Sequence, residues 1–369
     1  MLRVGVIGLG VIGSLHVDTI SKTSGLKLVA VTDVNKVEAR RVGSEREAKW
    51  YTDYRDMLDK EQLDIVSICV PHFLHERIAV DAARRGVNVI LEKPMATRIK
   101  EADRIIEEAR KRRVKLGVLF QQRFRPVIAG AKKAIDEQIR PLFRFLLEYN
   151  IFRGSAYYSS AAWRGTWAGE GGGILINQGI HHLDLLQYLV GTPPLTTYAT
   201  ASTVLHDIQV EDMANAVIEF RDGVQGVVQL TTIDAPQLVR LEFRGQGGIV
   251  ALDERRGQIS VNSPSLREQM TSTKGLFESP ECRWSTFVTD RRGQNYHALF
   301  YKDFLDAVQH DRKPLIDGRE GRKALELTNA MIYSAVTGKP VKHPLDSDRY
   351  DGLFFKLVKA KRLLGPSHK

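Results

Sequence analysis

Asn177, His181 and Asp184 stand at i, i+4 and i+7 within EGGGILINQGIHHLDLLQYLVG, the stretch from Glu170 to Gly191. On a helix that spacing puts an amide, an imidazole and a carboxylate on one face. The chemistry such a set offers is proton transfer, because an imidazole titrates at about pH 6.5 and exchanges its proton near neutrality. Ile174, Leu175, Leu183, Leu185, Leu186, Leu189 and Val190 make the segment apolar around most of its circumference. It therefore reads as a buried helix whose polar groups require partners. Gly171, Gly172 and Gly173 in front of it are expected to let a flat group come close to the backbone, and the first turn to offer free amide donors. A single histidine in such a place is more often a satisfied core residue; three aligned polar groups behind a glycine run point instead to the wall of an active site.

A second set of candidates lies at the start of the chain. LRVGVIGLGVIGSLH reads as a buried strand, a tight turn and a helix, with Gly8, Gly10 and Gly13 in the spacing G-x-G-x-x-G. That match alone is weak. It gains weight because Leu28 to Val31 forms a second apolar strand ending at Asp33, twenty residues beyond Gly13. This is the separation expected of a carboxylate that holds an adenosine ribose. In this reading the turn, with Val11 and Ile12, admits a pyrophosphate to the amides of a helix N-terminus, while Asp33 accepts the ribose hydroxyls. A carboxylate there repels a 2′-phosphate, which favours NAD; Arg40 and Arg41, one helix start further on, leave NADP open.

The elements that must position these groups alternate between strand and helix. Leu63 to Pro71 is a near-continuous apolar run, as suits a parallel strand covered on both faces. Ligands of such sheets bind beyond the carboxyl ends of the strands, so Val70, Pro71, His72, Phe73, Leu74 and His75 fall along the path of the cofactor. No third or fourth ligand of matching spacing follows His72 and His75, and no metal site is expected there. After a helix from Glu76 to Arg85, VNVILEKPM gives a strand ending in Glu92, Lys93 and Pro94, with Lys93 placed to reach substrate rather than solvent. A helix from Ile99 to Arg112 and a strand from Leu116 to Phe120 close the first domain at Gln121.

From Pro141 the period changes. PLFRFLLEYNIF, LTTYATAST, DMANAVIEF, GVQGVVQLTTI, QLVRLEFRG and GGIVALDE read as strands joined by short turns, interrupted only by the helix from Glu170 to Gly191. This predicts a largely antiparallel sheet with a helix on one face and a partner subunit on the other. The polar stretch from Asn262 to Cys282 reads as a loop near the site, and helices near Tyr296 to Gln309 and Gly318 to Thr337 close the chain. The expected division is thus a dinucleotide-binding domain over 1–121 and a substrate-binding and oligomerisation domain over 122–369.

Composition narrows the function classes. The 369 residues are 43% hydrophobic and 27% charged, the profile of an ordinary globular protein long enough for two domains. The net charge of +10 arises from 54 basic residues interleaved with 44 acidic ones. The densest basic run, Arg110 to Lys115, follows Glu107 and Glu108 and reads as a solvated helix end, so no nucleic-acid partner is expected. Two cysteines make no disulfide framework, and neither a signal segment nor an apolar run of membrane-spanning length is present. A cytoplasmic enzyme without a membrane partner is the expectation.

GLGVIG, EKP and GGG-x-L-x-N-x-G-x-H-x-x-D together resemble the glucose-fructose oxidoreductase, inositol dehydrogenase and rhizopine catabolism family (Gfo/Idh/MocA). The likeness runs from Val4 to about Val341 and takes in YHALFYKDF and DGREGRKALELTNAMIYSA. It implies a Rossmann domain with a doubly wound parallel sheet, then an α/β domain with a large, mostly antiparallel open sheet that mediates a homodimer or homotetramer. It also implies NAD(P)-dependent redox chemistry at a secondary hydroxyl of a sugar, nucleotide sugar or cyclitol. By position Lys93 looks like the family lysine and His181 like its catalytic histidine; Trp163 and Arg164 look like the pair that flanks the cofactor, and Gln121 sits at the nicotinamide side. Arg123 joins Lys93, Asn177 and His181 as a substrate-binding candidate. The chain departs from the commonest pattern at Asn177, where many members carry aspartate. An amide cannot accept a proton, so the acid/base work falls to His181, with Lys93 stabilising the developing alkoxide. Asparagine here is similar to a subgroup acting on nucleotide sugars. Two other readings stay open: a glycoside-cleaving enzyme that oxidises its sugar transiently with NAD, and a non-catalytic dinucleotide-dependent sensor.

Overall fold

In a computed structural model of the chain, residues 1–290 and 293–363 are described; the end of the expected second domain, 364–369, lies outside the described residues. The chain forms two compact units. One comprises Met1–Gln121 with Ala168–Gly171 and Asn295–Leu325, the other Gln122–Trp167, Gly172–Gln294 and the chain from Glu326 onward.

The first unit is built on six parallel strands: β1 (Leu2–Ile7), β2 (Leu26–Thr32), β3 (Lys49–Tyr51), β4 (Ile65–Ile68), β5 (Asn88–Leu91) and β6 (Leu116–Val118). Their order is β3-β2-β1-β4-β5-β6, the doubly wound arrangement in which the chain reverses direction beside β1. All four residues of β4 are buried, as a strand covered on both faces requires. Beyond β1 the chain turns through Gly8, at φ +89°, into the helix Val11–Lys22. A Cβ on Gly8 would lie 2.4 Å from the carbonyl oxygen of Cys69, and one on Gly13 would lie 1.9 Å from that of Gly8. Those two glycines are demanded by backbone against backbone. Gly10, at the helix N-cap, has nothing within 4 Å of where a Cβ would stand.

The second unit is built on nine strands: β7 (Leu142–Phe152), β8 (Pro194–Ser202), β9 (Met213–Phe220), β10 (Gln225–Thr231), β11 (Ile233–Gly245), β12 (Gly248–Leu252), β13 (Arg256–Ser263), β14 (Glu281–Thr289) and β15 (Val341–Lys342). Their order is β14-β13-β12-β11-β7-β10-β9-β8-β15, antiparallel throughout except where β7 runs parallel to β10. Alternation along β10 buries Gly226, Val228 and Leu230 on one face and leaves Gln225, Val227 and Gln229 on the other. The helix Ile180–Val190 covers the buried face, with Leu183, Leu186 and Leu189 wholly buried. On the open face Tyr198, Val217, Val227 and Leu146 stand side by side in register across four strands.

Helices run at Ile99–Arg112, Tyr296–Gln309 and Gly318–Thr337, where the pattern of the sequence puts them. Three expectations need correction. The helix read from Glu170 to Gly191 begins only at Ile180, after turns over 174–179. In those turns the amide of Gly179 reaches back to the carbonyl of Ile174, a wide loop that throws off helical spacing. The stretch from Asn262 to Cys282 is not one loop: it holds the ends of β13 and β14 and a helix, Leu266–Ser272, closed by a reciprocal Ser265–Glu268 capping box. The chain also does not close at Gly318–Thr337, because a further helix, Ser347–Ala360, follows, its first amides capped by Asp346.

The two glycines of the first turn should respond differently to a methyl group. Gly13→Ala is expected to cost about 3 kcal/mol in urea unfolding, the upper range of an overpacked site. Gly10→Ala, with open space and an ordinary φ of −62°, should stay within about 1 kcal/mol of the parent. Equal losses would mean that the turn is not set by these contacts.

Candidate active site

In the first unit the turn after β1 and the end of β2 meet. Asp33, half-buried beyond β2, accepts the amide of Leu9 on Oδ2 at 2.8 Å and that of Asn35 on Oδ1 at 2.8 Å. Each carboxylate oxygen keeps acceptor capacity for a hydroxyl. Val11 and Ile12 occupy the first turn of the helix, exposed at 90% and 44%, and Gly10 caps it without a side chain. The result is an open cradle of helix amides beside a ribose-sized acceptor, which fits a dinucleotide. Arg41, considered for a 2′-phosphate, is tied to Glu38 and Glu45 at 2.6 and 2.7 Å.

His75 lies between the turn after β4 and the turn after β5. Its two ring nitrogens lie against the carbonyl of Pro94 at 2.7 Å and that of Val70 at 2.9 Å. Burial pushes its imidazole below the usual value, against the pull of those carbonyls. His72 contacts the carbonyl of Glu170 at 2.8 Å. Pro71 and Leu74 are half-buried on the same turn. Lys93, half-buried, follows β5, and its amide donates to Glu92 Oε2 at 3.0 Å. Gln121, at the end of the unit, has a buried Oε1 with no hydrogen-bond donor among the described residues.

Behind Lys93 lies a network that sequence reasoning missed. His16, fully buried, contacts Glu92 Oε1 at 3.0 Å through Nε2, and Ser67 and Tyr301 at 2.7 and 2.9 Å through Nδ1. Burial opposes a charge on His16, but its contacts with Cys69 and Tyr301 and its bond to Glu92 outweigh it and hold the imidazole well above its usual value. Burial would raise the Glu92 carboxyl, yet His16 keeps it below the usual range. His297 brings a third ligand atom within 4.8 Å of this pair. Burial drives it to about 4. Both ring nitrogens of His16 are already taken, Nε2 by Glu92 and Nδ1 by Ser67 and Tyr301, which leaves neither for a metal ion. His16 stands three residues past Gly13, and its partner Tyr301 lies far along the chain, so no local pattern marks the pair.

In the second unit the three polar residues that open the sequence reading separate. Asp184, 1% exposed, holds Arg123 at 2.6 and 2.8 Å in a buried pair, with the guanidinium over Tyr188 at 4.8 Å. Asn177 lies in the turn before the helix and donates through Nδ2 to the hydroxyl of Tyr157 at 3.0 Å. His181 is half-buried in the first turn of the helix, while its neighbour His182 is buried and stacked on Tyr149 at 3.8 Å. Arg164 lies over Trp163 at 4.7 Å and over Tyr157 at 4.4 Å, and its Nη1 donates to the Tyr157 hydroxyl at 2.5 Å. Tyr157, which the sequence reading did not single out, thus joins Asn177 and Arg164; an aromatic and arginine-rich segment, RGSAYYSSAAWR, was the available signal.

The glycine run plays a different part from the one expected. Glu211 Oε1 accepts the amides of Gly173 and Leu175 at 2.8 and 3.2 Å, and the Glu211 carbonyl accepts that of Ile174 at 3.0 Å. The amides expected to be free donors are therefore used within the protein. A Cβ on Gly173 would lie 1.8 Å from the Glu211 carbonyl oxygen, so this glycine admits Glu211 and not a flat ligand.

Residues 2–120 match the model of an oxidoreductase family with an NAD-binding Rossmann fold, and residues 132–343 match the C-terminal alpha/beta domain of the same family. The chain belongs to the Gfo/Idh/MocA oxidoreductases. Among similar members of the family, scyllo-inositol 2-dehydrogenase (NAD(+)) of Bacillus subtilis is 27% identical, covering 95% of this chain and 99% of that protein. Myo-inositol 2-dehydrogenase of Thermotoga maritima is 26% identical over 92% of this chain and 98% of its own length. Of the solved structures, the WlbA dehydrogenase of Bordetella pertussis in complex with NADH and UDP-GlcNAcA superimposes with a TM-score of 0.80 at 27% identity, covering 94% of this chain and 99% of that one.

His182 gives the site a measurable pH signature. Burial, with the Arg125 charge second, pushes its imidazole down to about 3. Between about pH 6.5 and 3 the unfolded chain takes up a proton that the folded protein refuses. The stabilisation is therefore complete above pH 6.5 and lost as pH falls. In urea unfolding the parent should lose stability on going from pH 6.5 to 5 faster than His182→Phe, which keeps a ring against Tyr149, by about 1.4 kcal/mol per pH unit for one proton. Parallel slopes would overturn the assignment.

Proposed function

We propose that this oxidoreductase transfers hydride between NAD and a secondary hydroxyl of a sugar, nucleotide sugar or cyclitol, with Lys93 and His181 as its acid/base and charge-stabilising groups. The observation that carries the reading is the setting of Lys93. It follows a parallel strand at the carboxyl end, its turn is fixed by Glu92 and by His75, and a buried His16–Glu92 pair stands behind it. The nicotinamide, when bound, supplies the hydride acceptor. The chain supplies the rest. His181 Nδ1 or Nε2 takes the hydroxyl proton, and the Lys93 ammonium lowers the energy of the alkoxide as it develops. Asn177, an amide, orients and does not transfer a proton. The relatives divide between inositol dehydrogenases and a structure holding a nucleotide sugar, which is why the substrate class spans both.

NAD is the preferred dinucleotide in this reading, because Asp33 presents a carboxylate to the ribose and Arg41 is spent on Glu38 and Glu45. We assign the working form to a homodimer or homotetramer assembled through the open face of the second sheet. The support is the ladder Tyr198, Val217, Val227 and Leu146, with Tyr198, Val217 and Val227 exposed at 42%, 55% and 41%. Apolar rows of this kind are covered in stable proteins. No helix among the described residues is long and apolar enough to cross a membrane, and the cysteines Cys69 and Cys282 are free, which suits the cytoplasm.

The test is an absorbance assay of NAD and NADP reduction with myo-inositol, scyllo-inositol and UDP-GlcNAcA. Turnover with NAD exceeding that with NADP is expected. Lys93→Ala and His181→Ala should each lower turnover by about a hundredfold or more while NAD still binds. Near-parental rates in both variants would refute the mechanism. For the assembly, light scattering after size exclusion should give a multiple of 41.5 kDa for the parent and a smaller species for Val217→Glu. A monomeric parent would refute it.

A further inference from the structure

We propose that the open face of the second sheet meets the same face of a second copy across a two-fold axis lying along β10, so that Arg144 of each chain pairs with Glu219 of the partner subunit. This rests on the assembly reading above and adds to it the axis and the contacts. Beside the apolar row of Tyr198, Val217, Val227 and Leu146 runs a second row, in which Glu219, Gln225 and Arg144 stand in register on β9, β10 and β7. Arg144 and Gln225 are exposed, and Glu219 is half-buried. The neighbouring charges of this face are spent on one another: Arg240 on Glu148 at 3.9 Å and on Glu242, and Arg244 on Glu242 at 2.8 Å. Among the described residues neither Arg144 nor Glu219 makes an ion pair or a side-chain hydrogen bond. Arg144 even stands directly opposite Arg244 across β7 and β11, a like-charge pairing that costs stability unless an anion answers it.

When two copies of one face pack together, the two-fold axis lies in the plane between them, and its position decides which residue meets which. With the axis along β10, that strand lies on its own copy, and β7 of one chain lies on β9 of the other. In the apolar row Val227 then meets Val227 of the partner subunit, and Leu146 meets Val217 of the partner subunit. In the second row Gln225 meets its own copy, and Arg144 meets Glu219 twice, once from each chain. On the far side of the apolar row Gln229 meets its own copy and Glu148 meets the amide of Asn215. Apolar groups fall on apolar groups, and each unanswered charge finds its opposite. Aligned sheets pack with their strands within about 30° of one another, so these central rows stay in contact.

Neighbouring positions of the axis do worse. Along β7 it would set Arg144 and Glu148 each against its own copy, and along β9 it would do the same to Glu219. Like charges brought together in an interface are strongly unfavourable. Midway between β10 and β7 it would press Val217 onto Glu242, and midway between β9 and β10 it would leave Arg144 over Thr196 and both charges unanswered.

The experiment is a charge swap on the full chain, read by light scattering after size exclusion over a dilution series. Arg144→Glu and Glu219→Arg should each raise the dissociation constant of this contact about a hundredfold or more, because each sets like charges together twice, and on dilution each should fall to half the parent's mass. Mixed in equal amounts, the two single variants should regain the parent's mass, since opposite charges then meet at both places. The double variant Arg144→Glu/Glu219→Arg should regain it alone. Circular dichroism should stay parental throughout. Single variants that dissociate no more readily than the parent would overturn the proposal. So would a mixture that stays at half the mass, the result expected if the two residues paired within one chain. Should a single variant not fold, Gln225→Lys and Gln225→Glu decide: on the axis each charge meets its own copy, so each should dissociate alone and the two should associate when mixed, and parental behaviour of both would overturn the axis. A monomeric parent removes the assembly reading and this one together, whereas an assembled parent with indifferent variants removes this one alone.

Discussion

A carboxyl side chain withdrawn from water is the constraint on which the second unit depends. Glu211 has no exposed surface, and one of its oxygens is spent on the amides of Gly173 and Leu175. A buried carboxyl is tolerated only where hydrogen bonds replace the lost hydration. Those bonds fix the backbone ahead of the helix Ile180–Val190, and with it the heights at which Asn177 and His181 leave the chain. The close passage of the two segments leaves no room for a side chain at residue 173. The placement of His181 is thus prepared by a contact that His181 does not itself make.

The first unit solves the same problem with an ion pair. His16 and Glu92 are each buried, and each is pushed toward its charged form by the other. Ser67 and Tyr301 take the second imidazole nitrogen, so the pair is closed at both ends. The elements it joins are the helix after the glycine turn, β4, the turn that carries Lys93, and the helix Tyr296–Gln309. A buried ion pair adds little net stability, and its stronger effect is to admit one arrangement of its neighbours. Here those neighbours are the cofactor turn and the lysine.

The dinucleotide fold was legible because its signals are local. The G-x-G-x-x-G spacing, the carboxylate twenty residues on, and the helix at Ile99–Arg112 can each be read within one window of sequence. Helix spacing misled where the backbone is not helical: Asn177 and Asp184 share a face on paper, but the wide turn at Gly179 separates them, and Asp184 belongs to Arg123. Glu211 and Tyr301 were invisible, since their partners lie 38 and 285 residues away. The glycines before the helix were noticed for their freedom, whereas Gly173 is fixed by the backbone it must pass. Likewise the capping box at Ser265 and the Asp346 cap were present in the sequence; polar composition hid the first, and the strength of the preceding helix hid the second.

One imidazole ties two turns. His75 sits between the carbonyls of Val70 and Pro94, so the bend that follows β4 and the bend that follows β5 share a strut. A rigid strut transmits displacement. A displacement of the first bend would be passed through the imidazole to the backbone next to Lys93. In mechanical terms, the two bends are a single degree of freedom.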